Sequence, residues 1–280
     1  MEMFNPLIEV KDDGLLTPEV RTWSLEKYRL LGHYCQIFTN GMKNKWDQLV
    51  YIDLFAGAGN AKIIENNKIY LSSPLIAMSL PVPFTKYIFC ERNVNKYESL
   101  KSRVKSNFSH LDYSILNRDS NLAIEEIKEL IPNFNRNNTM LSFCFVDPCS
   151  LNLHFNTIKS LGSINMDFLI LQALHMDANR NIENYLSQNS DKIDLYLDNA
   201  NWRKEYNKYS NQNFVQFLAN HYENSMTKIG YQKERNFNQI RSNLKNLPLY
   251  YLSFYSKHKR GIDFFKKIQM KANEQLRLDF

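Results

Sequence analysis

The chain has 280 residues with 44% hydrophobic and 13% aromatic content, enough apolar material for one large core, and this excludes a disordered chain. No apolar run approaches the ~18–20 residues that cross a bilayer, so a soluble protein without membrane contact is expected. Net charge is +6 and unevenly spread: residues 201–280 hold 15 Lys and Arg against 6 Asp and Glu, whereas residues 1–200 hold 20 against 23, and such a basic C-terminal part suggests a polyanion partner, DNA or RNA.

The N-terminus, "MEMFNPLIEVKDDG", lacks the basic segment and long apolar run of a secretory leader, so a cytoplasmic location is expected. Cys35, Cys90, Cys144 and Cys149 form no CxxC pair and have no His at ligand spacing. That argues against both a zinc site and a disulfide framework, and no metal is expected.

Along the chain, short apolar runs alternate with amphipathic segments, the rhythm of βαβ units. Residues 18–42 read as an opening helix, with Pro18 in the first turn and Val20, Trp23, Leu30, Tyr34, Ile37 and Phe38 marking an apolar face. Strand one is about 49–54. A loop follows, and "SSPLIAMSL" then starts a helix at Ser72 or Ser73, later than a minimal βαβ unit would place it. "KYIFCE" is strand two and 93–106 a helix; "YSILN" is strand three and 120–130 a helix. "MLSFCFVD" is strand four, 154–161 a short helix and "MDFLILQ" strand five. All five are nearly continuous apolar runs, as strands of a parallel sheet covered on both faces should be.

Helical segments are expected around 177–189 and 211–229. "RNFNQIRS" and "LPLYYLSFYS" would form an antiparallel pair at the sheet edge, before a final helix at about 261–275. The predicted fold class is α/β: a Rossmann-like, mostly parallel seven-stranded sheet with helices on both faces. Its domains would be an N-terminal helical extension over 1–45 and a main domain over 46–280 with a helical insertion at about 177–230. This is the arrangement of class I S-adenosylmethionine methyltransferases.

Open α/β sheets bind ligands beyond the carboxyl ends of their strands, and every strand end here is informative. Strand one delivers Asp53, then Phe55, Gly57 and Gly59 in "YIDLFAGAG", two of only eight glycines in the chain. Strand two delivers Glu91, strand three Asp119 and strand four Asp147. S-adenosylmethionine suits this set: Glu91 would hold the ribose hydroxyls, Asp119 the adenine amine, and Asp53 with the loop amides the amino-acid end. NAD is disfavoured, because "DLFAGAG" is not a GxGxxG that opens directly into a helix. Singly, each acid could be an ordinary surface carboxylate; four at four consecutive strand ends are harder to dismiss.

"YIDLFAGAG", "SSPLIA", "FCER", "FVDP" and "LYYLSFYSKHKRG" together resemble the three-Cys-motif partner family (TcmP), over about 20–270. The resemblance implies a class I methyltransferase-like fold, an S-adenosylmethionine site at Asp53, Gly57, Gly59, Glu91, Asp119 and Asp147, and a separate partner protein that bears the three-cysteine motif. Two departures stand out. Ala58 replaces the family's proline, and "DPCS" replaces Asp-Pro-Phe-Gly, so the aromatic that stacks on a target base in amino-methylating enzymes is missing.

Asp147 is the catalytic candidate, orienting a nucleophile's N–H in a methyltransferase acting on nucleic acid. Two alternatives remain: a non-catalytic partner subunit that keeps the fold, or an enzyme of the cytosine-C5 type. The second arises because Pro148-Cys149 is similar to the Pro-Cys of those enzymes, whose thiolate attacks the base ring. Against it, "LQALHMD" stands where Glu-Asn-Val would be expected. His154, His175 and His258 receive no role. Tyr250, Tyr251, Phe254 and Tyr255 beside Lys257, Lys259 and Arg260 combine stacking groups with phosphate-contacting ones, although strand alternation puts at least half of the aromatics in the core.

Overall fold

A computed structural model of the chain describes residues 4–133, 135–164, 166–178, 181–187, 190–208, 213–232, 237–241, 248–263 and 265–266. These fall into two compact units, Met1–Phe145 with Asp263–Phe280, and Val146–Ile262. Among the described residues no helix is long and apolar enough to cross a membrane.

The first unit contains β1 (Glu9–Val10), β2 (Glu19–Val20), α1 (Trp23–Met42), β3 (Gln48–Asp53), β4 (Asn60–Ile63), β5 (Ile69–Leu71), α2 (Ser73–Met78), β6 (Lys86–Cys90), α3 (Val94–Asn107), β7 (Tyr113–Leu116), α4 (Ile124–Leu130) and β8 (Met140–Val146). Its main strands lie in the order β8-β3-β6-β7, every neighbouring pair parallel. β8 is buried along its whole length and β3 beyond its first residue, which explains their unbroken apolar sequence. Aromatic rings fill the space under α1: Tyr34 lies 4.7 Å from Phe143 and Phe38 stacks on Phe84 at 5.6 Å, centroid to centroid. α3 is capped by Asn93, whose side chain accepts from the Lys96 N–H at 3.1 Å.

A second, small sheet, in the order β1-β5-β4-β2, has no counterpart in the sequence reading. β4 and β5 form an antiparallel hairpin between the glycine loop and α2, with β1 antiparallel to β5 and β2 parallel to β4. The Ser72 N–H donates to the Gly59 carbonyl at 2.8 Å, so the chain returns from the hairpin to the point where it left. This is why α2 starts late. Pairing also corrects the first helix: it begins at Trp23 rather than 18, because the Pro18 carbonyl accepts from Lys62 N–H (3.0 Å) and the Val20 carbonyl from Ile64 N–H (2.9 Å).

Arg103 closes this unit. It lies on the buried stripe of α3 with Leu100 and Val104 and is 2% exposed. Its Nε and Nη2 form a fork on Asp13 at 2.7 and 2.6 Å, Nη1 donates to the carbonyls of Leu16 (2.9 Å) and Ala58 (2.7 Å), and Nη2 also reaches Thr17 Oγ1 at 2.9 Å. One guanidinium thus joins the N-terminal segment, the glycine loop and α3.

The second unit holds α5 (Phe155–Leu161), β9 (Met166–Gln172), a π-helical turn at Leu174–Ala178, α6 (Ile182–Leu186), α7 (Lys192–Leu197), α8 (Trp202–Asn207), α9 (Phe214–Lys228), β10 (Phe237–Arg241) and β11 (Pro248–Tyr255). β11 pairs antiparallel with both β9 and β10, so the expected edge pair forms. Of the two helical segments expected after Gln172, the second forms as α9, the first is shortened to α6 after the π-helical turn, and α7 and α8 between them were not expected. Residues 259–263 are helical; the rest of the predicted final helix, from 267 onward, lies outside the described residues. The fold class is α/β and Rossmann-like.

Arg103→Ala takes a buried side chain out of the core and leaves the buried Ala58 carbonyl without its donor, so it is expected to lower the unfolding free energy by about 1–3 kcal/mol, read from urea denaturation. Arg103 holds the Asp13 carboxyl below its ordinary value. The stability this contributes is present above the unfolded-chain pKa of about 4 and is lost as pH falls through the lower folded value, so Asp13→Asn should flatten the acid limb of a stability-pH curve.

Candidate functional site

The strand order reverses between β3 and β8, the position where open α/β sheets form a ligand crevice, and the glycine loop leaves β3 there. Asp53, fully buried, ends the strand: its Oδ1 accepts from Phe55 N–H at 3.1 Å and its Oδ2 from the Tyr51 hydroxyl at 3.4 Å. Leu54 N–H donates to Phe145 O (3.2 Å) and Ala56 N–H to Cys90 O (3.0 Å), which fastens the loop to the strands on both sides. The Ser120 hydroxyl donates to the Leu54 carbonyl from the turn after β7.

Gly57 and Gly59 have φ of +67° and +92°, conformations that side chains disfavour. They serve different ends. A Cβ on Gly59 would meet Leu75 at 3.1 Å and Leu100 at 3.2 Å, so this glycine permits packing. A Cβ on Gly57 would meet nothing within 4 Å. Its open face is where a ligand can come against bare backbone.

Glu91, 9% exposed, accepts from the Gly57 N–H through Oε2 (3.0 Å) and from the Asn93 N–H through Oε1 (2.7 Å). It therefore ties the loop to the end of β6 and keeps lone pairs for hydroxyl donors. Asp119 accepts from Asn121 N–H at 2.9 Å and faces Arg92 at 3.6 Å, a pairing the sequence did not suggest. The three acids act together on one atom. Burial drives the Cys90 thiol up to about 11, and Asp119, Glu91 and Asp53 push in the same direction against an opposing Ser120 hydrogen bond. Burial, then Asp53, likewise raise the Cys35 and Cys144 thiols and the Tyr51 phenol.

The structure thus brings Asp53, Phe55, Gly57, Gly59, Glu91 and Asp119 to one end of the first unit. Three carboxylates and an open glycine face suit a cationic, hydroxyl-bearing ligand. S-adenosylmethionine, with a sulfonium, an ammonium and ribose hydroxyls, fits that donor set. Asp53 is too buried for direct contact and would act through the amides that it orients.

Asp147 opens the second unit, half-buried, with Pro148 buried and Cys149 exposed; the other three cysteines are buried. The loop it begins is anchored further on. Asp177, 6% exposed in the π-helical turn after β9, accepts from Leu151 N–H (2.9 Å), Lys192 Nζ (2.7 Å), Asn181 Nδ2 (3.0 Å) and the Tyr185 hydroxyl (2.5 Å), and Lys192 also reaches Ser150 Oγ at 3.0 Å. Burial works to raise the Asp177 carboxyl, but these donors outweigh it and hold it below its ordinary value. Sequence reasoning missed this network; the His175 and Asp177 that follow an apolar strand were its only sign. His175 stacks by Tyr251, with Nε2 3.4 Å from its hydroxyl.

No family model matches the chain, and no curated protein does. Among solved structures, protein LPL1258 from Legionella pneumophila is similar over 91% of both chains, at 11% identity and a TM-score of 0.50. Trm1 from Pyrococcus horikoshii, solved with S-adenosyl-L-methionine, is similar over 92% of this chain and 64% of its own, at 12% identity and a TM-score of 0.45. An rRNA methylase from Streptococcus thermophilus is similar over 79% and 95%, at 8% identity and a TM-score of 0.37. At such identities the likeness concerns the fold alone, and it is LPL1258 that supports it.

The two glycines are expected to separate in a stability measurement. Gly57→Ala carries only the left-handed backbone cost of about 1–2 kcal/mol, whereas Gly59→Ala adds contacts with Leu75 and Leu100 and should unfold at distinctly lower urea concentration.

Proposed function

We propose that this chain is an S-adenosylmethionine-dependent methyltransferase of the three-Cys-motif partner type that acts on nucleic acid. The observation that carries the reading is geometric: Asp53 and Glu91 accept from the Phe55 and Gly57 amides of the glycine loop, Ser120 beside Asp119 donates to the Leu54 carbonyl, and the face of Gly57 is open. S-adenosylmethionine would supply a methyl group made electrophilic by its positive sulfur.

Glu91, its two oxygens fixed by the amides of Gly57 and Asn93, presents its remaining lone pairs to a ribose diol. Asp119 accepts from the adenine amine, and its pairing with Arg92 sets the orientation of its carboxylate. Asp53 holds the loop in register from below. Asp147 orients the N–H of the target base, so that catalysis is mostly positioning.

Residues 201–280 would bind the phosphates. Of the proposed basic contacts, Lys257 is engaged within the protein: its Nζ donates to the Gly162 carbonyl at 2.5 Å and lies 5.4 Å over the Tyr231 ring. Lys259 and Arg260 are exposed. Tyr250, Phe254 and Tyr255 are buried and belong to the core rather than to a stacking platform. A second reading, a partner subunit without chemistry, is favoured by the DPCS segment, which lacks a base-stacking aromatic.

Calorimetry with S-adenosylmethionine and S-adenosylhomocysteine should show saturable binding that falls at least tenfold in Gly57→Ala, where a methyl group enters the open face. A folded wild-type chain that binds neither would overturn the assignment. Tritiated-methyl transfer to total DNA and total RNA, with and without the three-cysteine partner, is expected to be lost in Asp147→Ala with cofactor affinity retained. Absence of transfer to either under all conditions, with binding intact, would leave the partner-subunit reading. Changing Lys259 and Arg260 together to Ala should flatten the log-log salt dependence of nucleic-acid binding by about 2.

A further inference from the structure

We propose that a cavity of about 320 Å3 in the first unit, behind the glycine loop, binds a small organic anion with an apolar body, such as an aryl or branched-chain carboxylate. This site is separate from the face of Gly57, and the proposal does not depend on the function proposed above. The volume lies at the lower end of the range for small-molecule sites, roughly 300–1,000 Å3.

Its walls divide by chemistry. Val10, Leu71, Leu75 and Phe108 provide apolar surface, and Asn60, Asn107, Arg103, Asp13 and Lys11 provide the polar groups. Arg103 and Asn60, 2% and 5% exposed, form a buried polar floor, whereas Lys11, Asp13 and Asn107 lie on the exposed rim. In the amide orientation that satisfies both of its ends, Asn60 donates to the Gly59 carbonyl and accepts from Arg103 Nε, each at 3.2 Å. Asn107 Nδ2 donates to the Arg103 carbonyl at 2.9 Å.

Charge decides the class of ligand. Asp13 and Arg103 neutralise each other through their fork. Lys11 has no ion-pair partner among the described residues, so the lining keeps one uncompensated positive charge beside an apolar wall. A carboxylate at Lys11 with a hydrophobic body against Leu75 and Phe108 satisfies both. The cavity also shares Asn60, Leu75 and Arg103 with the supports of Ala58 and Gly59, which puts an occupant one hydrogen bond away from the loop.

The test uses the full chain, labelled with nitrogen-15 and titrated with phenylacetate, and with phenylacetamide as the uncharged counterpart. Saturable shifts at the amides of Val10, Lys11, Asn60, Leu75 and Phe108 are expected, with phenylacetate the tighter ligand. Lys11→Ala should weaken phenylacetate by about two- to fivefold, the range for an exposed ion pair, and leave phenylacetamide unchanged. Asn107→Trp, a change at an exposed lining residue that puts an indole into the space, should abolish both while the far-ultraviolet circular dichroism stays that of the wild type. No shifts at millimolar probe, shifts that persist in Asn107→Trp, or equal affinity for both probes in the wild type would overturn the proposal.

Discussion

The buried Arg103 guanidinium is the constraint on which the first unit turns. An arginine almost wholly removed from water is tolerable only when its N–H groups find acceptors in the directions the planar fork dictates. Here those acceptors come from two places far apart in sequence: Asp13, Leu16 and Thr17 in the N-terminal segment, and Ala58 in the glycine loop. The requirement runs both ways. The N-terminal segment cannot leave without uncovering a charge, and the loop carbonyl at Ala58 cannot move without losing a charge-assisted bond. A lysine, with one tetrahedral ammonium, could not meet the same set of acceptors.

From that anchored base, the loop between β3 and β4 is held at nearly every residue, by β8 and β6 through Leu54 and Ala56, by Glu91 at Gly57 and by Arg103 at Ala58. Rigidity at the back and open space at Gly57 are complementary properties. A ligand that meets this surface finds backbone already ordered, and little conformational entropy is lost on binding. The same preorganisation concentrates negative charge. Three carboxylates near one buried thiol repel one another, and backbone amides and Arg92 offset that repulsion in part.

What the sequence disclosed follows from where the information is local. β8 and β9 could be placed to within a residue because their burial on both faces demands a continuous apolar run. The acids and glycines at strand ends were legible because a chain that leaves a strand has few reasons to put such residues there. The small sheet was not legible: strands of two residues carry no periodicity, and their partners lie more than 40 residues away. Pro18 suggested a helix start where the chain is still extended. Arg103 could have been noticed as a charge on the apolar stripe of α3, but its acceptors lie more than 40 residues away, and several are backbone carbonyls, which no sequence displays. The Asp177 network joins a π-helical turn to residues on either side of it for the same non-local reasons.

The return of Ser72 to Gly59 makes the hairpin of β4 and β5 a detour rather than a segment of the main path. β1 pairs with β5 and β2 with β4, so each of these two-residue strands takes its backbone partner from the detour. Hairpin and N-terminal segment therefore form a single module: neither has all its backbone partners without the other. A chain with a shortened hairpin would leave both two-residue strands without backbone partners, and the N-terminal residues would keep the Arg103 fork and the bond from the Phe4 N–H to Gln36. In folding, too, the order is set: the hairpin can close on its own neighbours, whereas the N-terminal strands must wait for it.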